Sequence, residues 1–157
     1  MNISIGQSLP DFLAPATSNT EFSLSAHHGK FLVLYFYPKD DTPGCTTEGH
    51  DFNALLSEFE TLNCGVFGIS RDSLKKHEKF KAKQGYQFEL ISDENEALCQ
   101  LFDVIKLKKL YGKEYLGIDR STFVIDPQGK LINEWRGVKV PQHAQLVLDY
   151  LTQLPAS

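Results

Sequence analysis

Phe31-Leu32-Val33-Leu34-Tyr35-Phe36-Tyr37 runs without polar alternation and stops at Pro38. Such a strand is covered on both faces, which places it in the middle of a sheet. Beyond it, Phe52, Leu55, Leu56, Phe59 and Leu62 recur at helical spacing and predict one helix over residues 44–62 packed on that strand. Gly65-Val66-Phe67-Gly68-Ile69 reads as a second buried strand. A helix then runs from Asp72-Ser73 to Gly85, a residue suited to a left-handed cap. Leu90-Ile91-Ser92 predicts a third strand, and Asp93 with Glu96 has capping-box spacing ahead of Leu98, Leu101 and Phe102.

The order to this point is β-α-β-α-β-α. After a polar stretch from Lys106 to Asp119, Ser121–Ile125 and Lys130–Trp135 flank Asp126-Pro127-Gln128-Gly129, a hairpin signal. Pro141 at a first helical position opens a last helix lined by Ala144, Val147, Leu148, Leu151 and Leu154. Alternating units give parallel strands, and the hairpin adds antiparallel ones. The expected fold class is therefore α/β: a thioredoxin-like fold with a mixed central β-sheet, helices on both faces and an N-terminal extension. Without a repeat or linker, one domain is expected over 1–157.

Sixteen basic against 20 acidic side chains give a net charge of -4, which speaks against general nucleic-acid affinity. The apolar run at 31–37 is too short to span a bilayer, so no membrane association is expected. The first seven residues lack the features of a secretory signal. Three cysteines, an odd number at low density, fit a reducing compartment and a cytoplasmic location. Lys106-Leu107-Lys108-Lys109 reads as a solvated loop or helix end.

Chemistry concentrates in Tyr37-Pro38-Lys39-Asp40-Asp41-Thr42-Pro43-Gly44-Cys45-Thr46-Thr47-Glu48, between the central strand and the first helix, where open α/β sheets place their sites. Cys45 falls in the first helical turn, where unpaired N–H groups and the positive end of the dipole favour a thiolate. Thr42 reads equally as an N-cap or as a hydroxyl facing the sulfur. Pro38 either stops the strand or roofs the thiol. Arg120 reads as a surface residue flanking a strand, or as a guanidinium reaching the thiolate. His27 and His28 read as a loop, and His77 and His143 as surface residues. Trp135 is expected to pack, and no metal or cofactor is expected.

Pro38-x-x-x-Thr42-x-x-Cys45 resembles the active-site signature of peroxiredoxins, and Gly44-Cys45-Thr46-Thr47-Glu48 is similar to their bacterioferritin comigratory protein, or peroxiredoxin Q, subfamily. Gly6-Gln7-x-x-Pro10-Asp11-Phe12, Gly68-Ile69-Ser70-x-Asp72-Ser73 and Arg120-Ser121-Thr122-Phe123-Val124-Ile125-Asp126 extend the likeness along the chain. The resemblance implies a thiol-dependent peroxidase acting on hydrogen peroxide and organic hydroperoxides. Cys45 would be the attacking thiolate, Thr42 the peroxide-orienting hydroxyl, Pro38 the shield and Arg120 the charge donor. Close relatives are often monomers.

Many relatives carry a resolving cysteine five residues after the first, or on the next helix; here His50 and Lys81 occupy those positions. Cys64, beside Leu62, Val66 and Phe67, reads as a packing residue, and Cys99 is the remaining candidate partner. The leading expectation is a one-cysteine mechanism recycled by glutathione, glutaredoxin, thioredoxin or a second subunit. Two-cysteine recycling through Cys99, and a peroxide sensor or holdase switched by Cys45, are the alternatives.

Overall fold

The computed structural model describes residues 3–155; numbers 1–2 and 156–157 of the expected domain lie outside the described residues. Its strands are β1 (Leu13–Ala16), β2 (Thr20–Ser23), β3 (Phe31–Phe36), β4 (Cys64–Ser70), β5 (Glu89–Ser92), β6 (Ile105–Leu110), β7 (Lys113–Ile118), β8 (Ser121–Ile125) and β9 (Leu131–Trp135). The helices are α1 (Pro43–Ala54), α2 (Leu56–Thr61), α3 (Leu74–Gln84), α4 (Ala97–Leu101) and α5 (His143–Gln153). Seven strands form one sheet in the order β2-β1-β5-β4-β3-β8-β9. β3, β4 and β5 are parallel, and β1 and β8 flank them antiparallel. The expected extension thus completes one edge of the sheet, and β3 lies inside it.

β3 has no polar face because two cores meet across it. Leu32, Leu34 and Phe36 join Cys99 and Phe102, from α4 and its end, on one side. Val33, Tyr35 and Tyr37 join Cys45, Phe52, Phe80 and Val147, from α1, α3 and α5, on the other. Tyr35 stacks on Phe52 at 4.6 Å between centroids. Burying each such ring contributes about 2–3 kcal/mol.

Several elements differ from the sequence reading. The helix expected over 44–62 breaks at Leu55, where ψ is 4°. Phe52 and Phe59 still face the same core, so the apolar period passes through the break unchanged. Ser73 caps α3 by accepting from the Lys76 N–H, and Gly85 at φ 72° closes it. Asp93 accepts from the N–H groups of Leu98 and Cys99 at 3.0 and 2.7 Å. Glu96 completes no capping box; it turns to Arg71 at 2.9 Å. Pro141 lies in a turn before α5, whose N-cap is Gln142 at φ 65°.

The polar stretch is neither loop nor helix end but the β6–β7 hairpin, paired Leu107 to Leu116 and Leu110 to Lys113. Tyr111 and Gly112, at φ 51° and 78°, form its two-residue turn. Most of its side chains are exposed on both faces, which removes the alternation that would mark a strand. Among the described residues no helix is long and apolar enough to cross a membrane.

Candidate active site

The N–H of Tyr37 still donates to Ile69 O of β4, but Pro38 has no N–H with which to continue the ladder. The chain turns through Asp41, at φ 63°, and enters α1 with Thr42 at the N-cap and Pro43 at the first helical position. Thr42 does not cap through its side chain: Oγ1 donates to Lys39 O at 2.9 Å. The first-turn N–H groups around Cys45 stay free of that side chain. The hydroxyl keeps its lone pairs, since its one hydrogen is spent within the loop.

Cys45 is 2% exposed and faces the core shared by Tyr35 and Phe52. Arg120 comes to it from the turn between β7 and β8, with Nη2 donating to Cys45 Sγ at 3.5 Å. The same guanidinium donates from Nη1 to Glu48 Oε1 at 2.6 Å. Gly44 makes room for this fork, because a Cβ there would stand 3.2 Å from Nη2. Arg120 and Cys45 are therefore brought together, while Thr42 and Pro38 lie in the loop immediately before the thiol.

Glu48 was quoted in the sequence motif without a role. It sits three positions after Cys45, one helical turn on, and that spacing was the available signal. It is 1% exposed, and its Oε2 finds no hydrogen-bond partner among the described residues. Burial pushes its carboxyl up to about 7, with Arg120 pulling the other way. Burial of Arg120 opposes the guanidinium charge, but Glu48 and Cys45 outweigh it and hold its pKa above the ordinary value. The cation is kept, and burial shifts the carboxyl toward its protonated form.

The two histidines read as surface residues are both buried. His77 Nδ1 meets Asp40 Oδ2 at 2.6 Å, and Nε2 meets Ile91 O at 2.9 Å. Tyr37 Oη donates to Asp40 Oδ1 at 2.6 Å, so a buried chain of polar groups ties the loop to α3 and β5. Asp40, Asp72 and His77 also bring potential metal-ligating atoms within 4.8 Å of one another. Ile91 O can only accept, which fixes a proton on Nε2, and a cation would have to displace Asp40 from Nδ1. His143 Nε2 pairs with Thr122 Oγ1 at 2.8 Å. Burial, then Arg120, pushes its imidazole down to about 4. Trp135 packs edge-on against His143 and Tyr150, with ring centroids at 5.9 and 5.7 Å.

The other two thiols stay away from the site. Cys64 opens β4 opposite Phe31, whereas Cys45 lies beyond the far end of β3. A strand of that length separates them by about 20 Å at 3.3 Å per residue. Cys99 is fully buried in the core on the opposite face of the sheet. Burial pushes Cys64 up to about 12, and burial together with Asp93 raises Cys99 further above the usual thiol range.

The AhpC/TSA family description matches residues 5–133. The chain belongs to this family. It is 58% identical over 135 residues to Peroxiredoxin Bcp of Xanthomonas campestris pv. campestris, covering 86% of this chain and 84% of that one. It is 49% identical over 154 residues to Peroxiredoxin Bcp of Bacillus subtilis, covering 98% of each. Peroxiredoxin Q of Xanthomonas campestris superposes with a TM-score of 0.86 at 55% identity, over 90% of this chain and 89% of that one. A Cys-to-Ser mutant of PrxQ from Xylella fastidiosa gives 0.92 at 47% identity, over 96% of each. This peroxiredoxin has the thioredoxin-like fold and the thiol-dependent peroxidase activity of the bacterioferritin comigratory, or peroxiredoxin Q, subfamily.

Proposed function

We propose that this peroxiredoxin reduces hydrogen peroxide and organic hydroperoxides through Cys45 and is recycled by an external thiol. The contact of Arg120 Nη2 with Cys45 Sγ at 3.5 Å carries the reading. The Cys45 thiolate attacks one peroxide oxygen, and the O–O bond breaks. The departing hydroxide or alkoxide takes a proton, leaving Cys45 as a sulfenic acid. Negative charge grows on the leaving oxygen, beside the guanidinium of Arg120 and the first-turn N–H groups. Thr42 orients the peroxide through its hydroxyl, and Pro38 shields the thiol from bulk water. A relative from Xanthomonas campestris is described by its alkyl peroxide reduction, which supports organic hydroperoxides as substrates.

Recycling is of the one-cysteine type. Cys99 lies behind the sheet and Cys64 at its far end, whereas a disulfide needs Cα atoms within about 7 Å. Thioredoxin, glutaredoxin or glutathione attacks the sulfenic acid after the first turn of α1 opens, since Cys45 is 2% exposed. The protein works as one domain over 1–157, as a monomer, in the cytoplasm.

The test follows peroxide loss with a thiol present in wild type and Cys45→Ser. Many turnovers in the wild type and none in the variant are expected; one stoichiometric oxidation without turnover would instead mark a sensor. Peptide mapping after one equivalent of peroxide separates the recycling routes. A Cys45–Cys99 or Cys45–Cys64 bond within one chain would overturn the one-cysteine reading.

A further inference from the structure

A cavity of about 390 Å³ opens beside the thiol loop, walled by Lys39 and Asp41 of the loop and by Lys76, Lys79 and Lys83 of α3, over Phe80. A second cavity of about 310 Å³ shares Lys39 and Lys76 with it and reaches Pro38. Together they form a trough running from α3 to the head of the active-site loop. Its volume is in the range that holds small organic ligands.

The two linings carry five basic side chains against four carboxylates, a small basic excess in a chain whose net is -4. Asp41 is occupied by Lys83 at 3.0 Å. Asp72 accepts from Ser70 Oγ and the Asp40 N–H at 2.6 and 2.9 Å, and Asp40 is buried against His77. Lys39, Lys76 and Lys79, all exposed, have no carboxylate within 4 Å among the described residues. Three ammonium groups without an ion-pair partner outnumber the two lining carboxylates that also lack one among the described residues, Asp72 and Glu94. Around a concave site over Phe80 they select a small anion with an organic body. A nucleic acid or membrane would instead require a broad basic face.

We infer that this trough binds a low-molecular-weight thiol bearing carboxylates, the external reductant of the one-cysteine cycle. The inference rests on that reading. Lysine contacts hold the carboxylates, and the thiol then waits at high local concentration for the first turn of α1 to open. Its sulfur attacks Cys45 Sγ and the S–O bond breaks; the hydroxyl leaves as water after taking a proton, giving a mixed disulfide. A second thiol attacks the reductant's sulfur in that bond, returning Cys45 as a thiolate and releasing the reductant as its own disulfide. Each cycle consumes two thiols and one peroxide.

The experiment compares wild type with the triple variant Lys39→Gln, Lys76→Gln, Lys79→Gln under steady-state turnover of uncharged hydrogen peroxide. Two reductants are used, glutathione and the uncharged dithiothreitol. The quotient of kcat/KM for glutathione over that for dithiothreitol should fall about tenfold in the variant, in line with exposed ion pairs of modest strength. It should hold in Lys→Arg counterparts and fall with added potassium chloride in the wild type. An unchanged quotient, or equal losses with both thiols, overturns the proposal. So does a loss seen only when a carboxylate-bearing hydroperoxide replaces hydrogen peroxide, since the trough would then serve the oxidant. Mass spectrometry of a glutathione adduct on Cys45 in both proteins tests the one-cysteine reading separately: its presence with an unchanged quotient condemns the trough alone.

Discussion

Arg120 holds Cys45 and Glu48 in one fork, with Nη2 3.5 Å from the sulfur and Nη1 2.6 Å from the carboxylate. A lysine ammonium carries the charge but cannot place two donors in that plane. Arg120→Lys should therefore lower the second-order rate of Cys45 oxidation by about 10²-fold, and Arg120→Met by about 10³-fold, the range for losing a donor to transition-state charge. Stopped-flow oxidation by hydrogen peroxide checks the order. Equal rates in both variants and wild type would remove Arg120 from the chemistry.

Glu48 gives the fold a pH dependence of definite sign. Its carboxyl is raised from 4.5 to about 7 in the folded protein, with burial as the main cause. The folded state then binds more protons than the unfolded chain between those values, so stability is full below about pH 4.5 and declines as pH rises through about 7. Glu48→Gln should flatten this decline in urea unfolding at pH 5, 6 and 7. The parent should lose about 1–3 kcal/mol across that window. A variant whose slope matches the parent would place the titration elsewhere.

Much of this was legible in the residues. The run from Phe31 to Tyr37 is apolar on both faces, and it lies between two cores. Gly85 announced the end of α3 because only a residue without Cβ enters the left-handed region freely. The β6–β7 hairpin was hidden because Tyr111-Gly112 lacks the usual Asn-Gly signature and its strands bury neither face fully. His77 and His143 were misread because a lone histidine on a helix shows nothing of its partners, which are 37 and 21 residues away in sequence. The trough combines lysines from a loop and a helix, a proximity that sequence spacing does not reveal.

The buried pair of Asp40 and His77 ties the active-site loop to α3 at 2.6 Å. Removing one partner leaves a single buried polar atom, Asp40 Oδ2 or His77 Nδ1, without its short hydrogen bond, so His77→Ala and Asp40→Ala should each cost about 1–3 kcal/mol. Removing both should cost less than the sum of the two, because the second deletion relieves the orphaned group left by the first. Urea denaturation of the two single variants and the double variant reads the coupling. Strict additivity would mean that the contact contributes nothing to holding the loop.

Cys99 and Cys64 separate packing from chemistry. Both are buried, and both thiols are held well above the range in which a thiolate forms near neutral pH. Cys99→Ala deletes a sulfur from a tight core and should cost about 1 kcal/mol in stability. It should leave glutathione-driven turnover within about twofold of the parent, since a difference of 0.4 kcal/mol is already a factor of two. Cys64→Ala should behave alike, for the thiol makes a weak contact with Gly65 O at 3.4 Å. A resolving cysteine would behave otherwise: its loss would trap Cys45 as sulfenic acid and abolish recycling by dithiol proteins while leaving the first oxidation rate intact. Turnover with thioredoxin, measured beside the single-turnover oxidation, therefore decides whether either thiol takes part, and a collapse of the former in Cys99→Ala would require the sheet to open far enough to bring its two faces together.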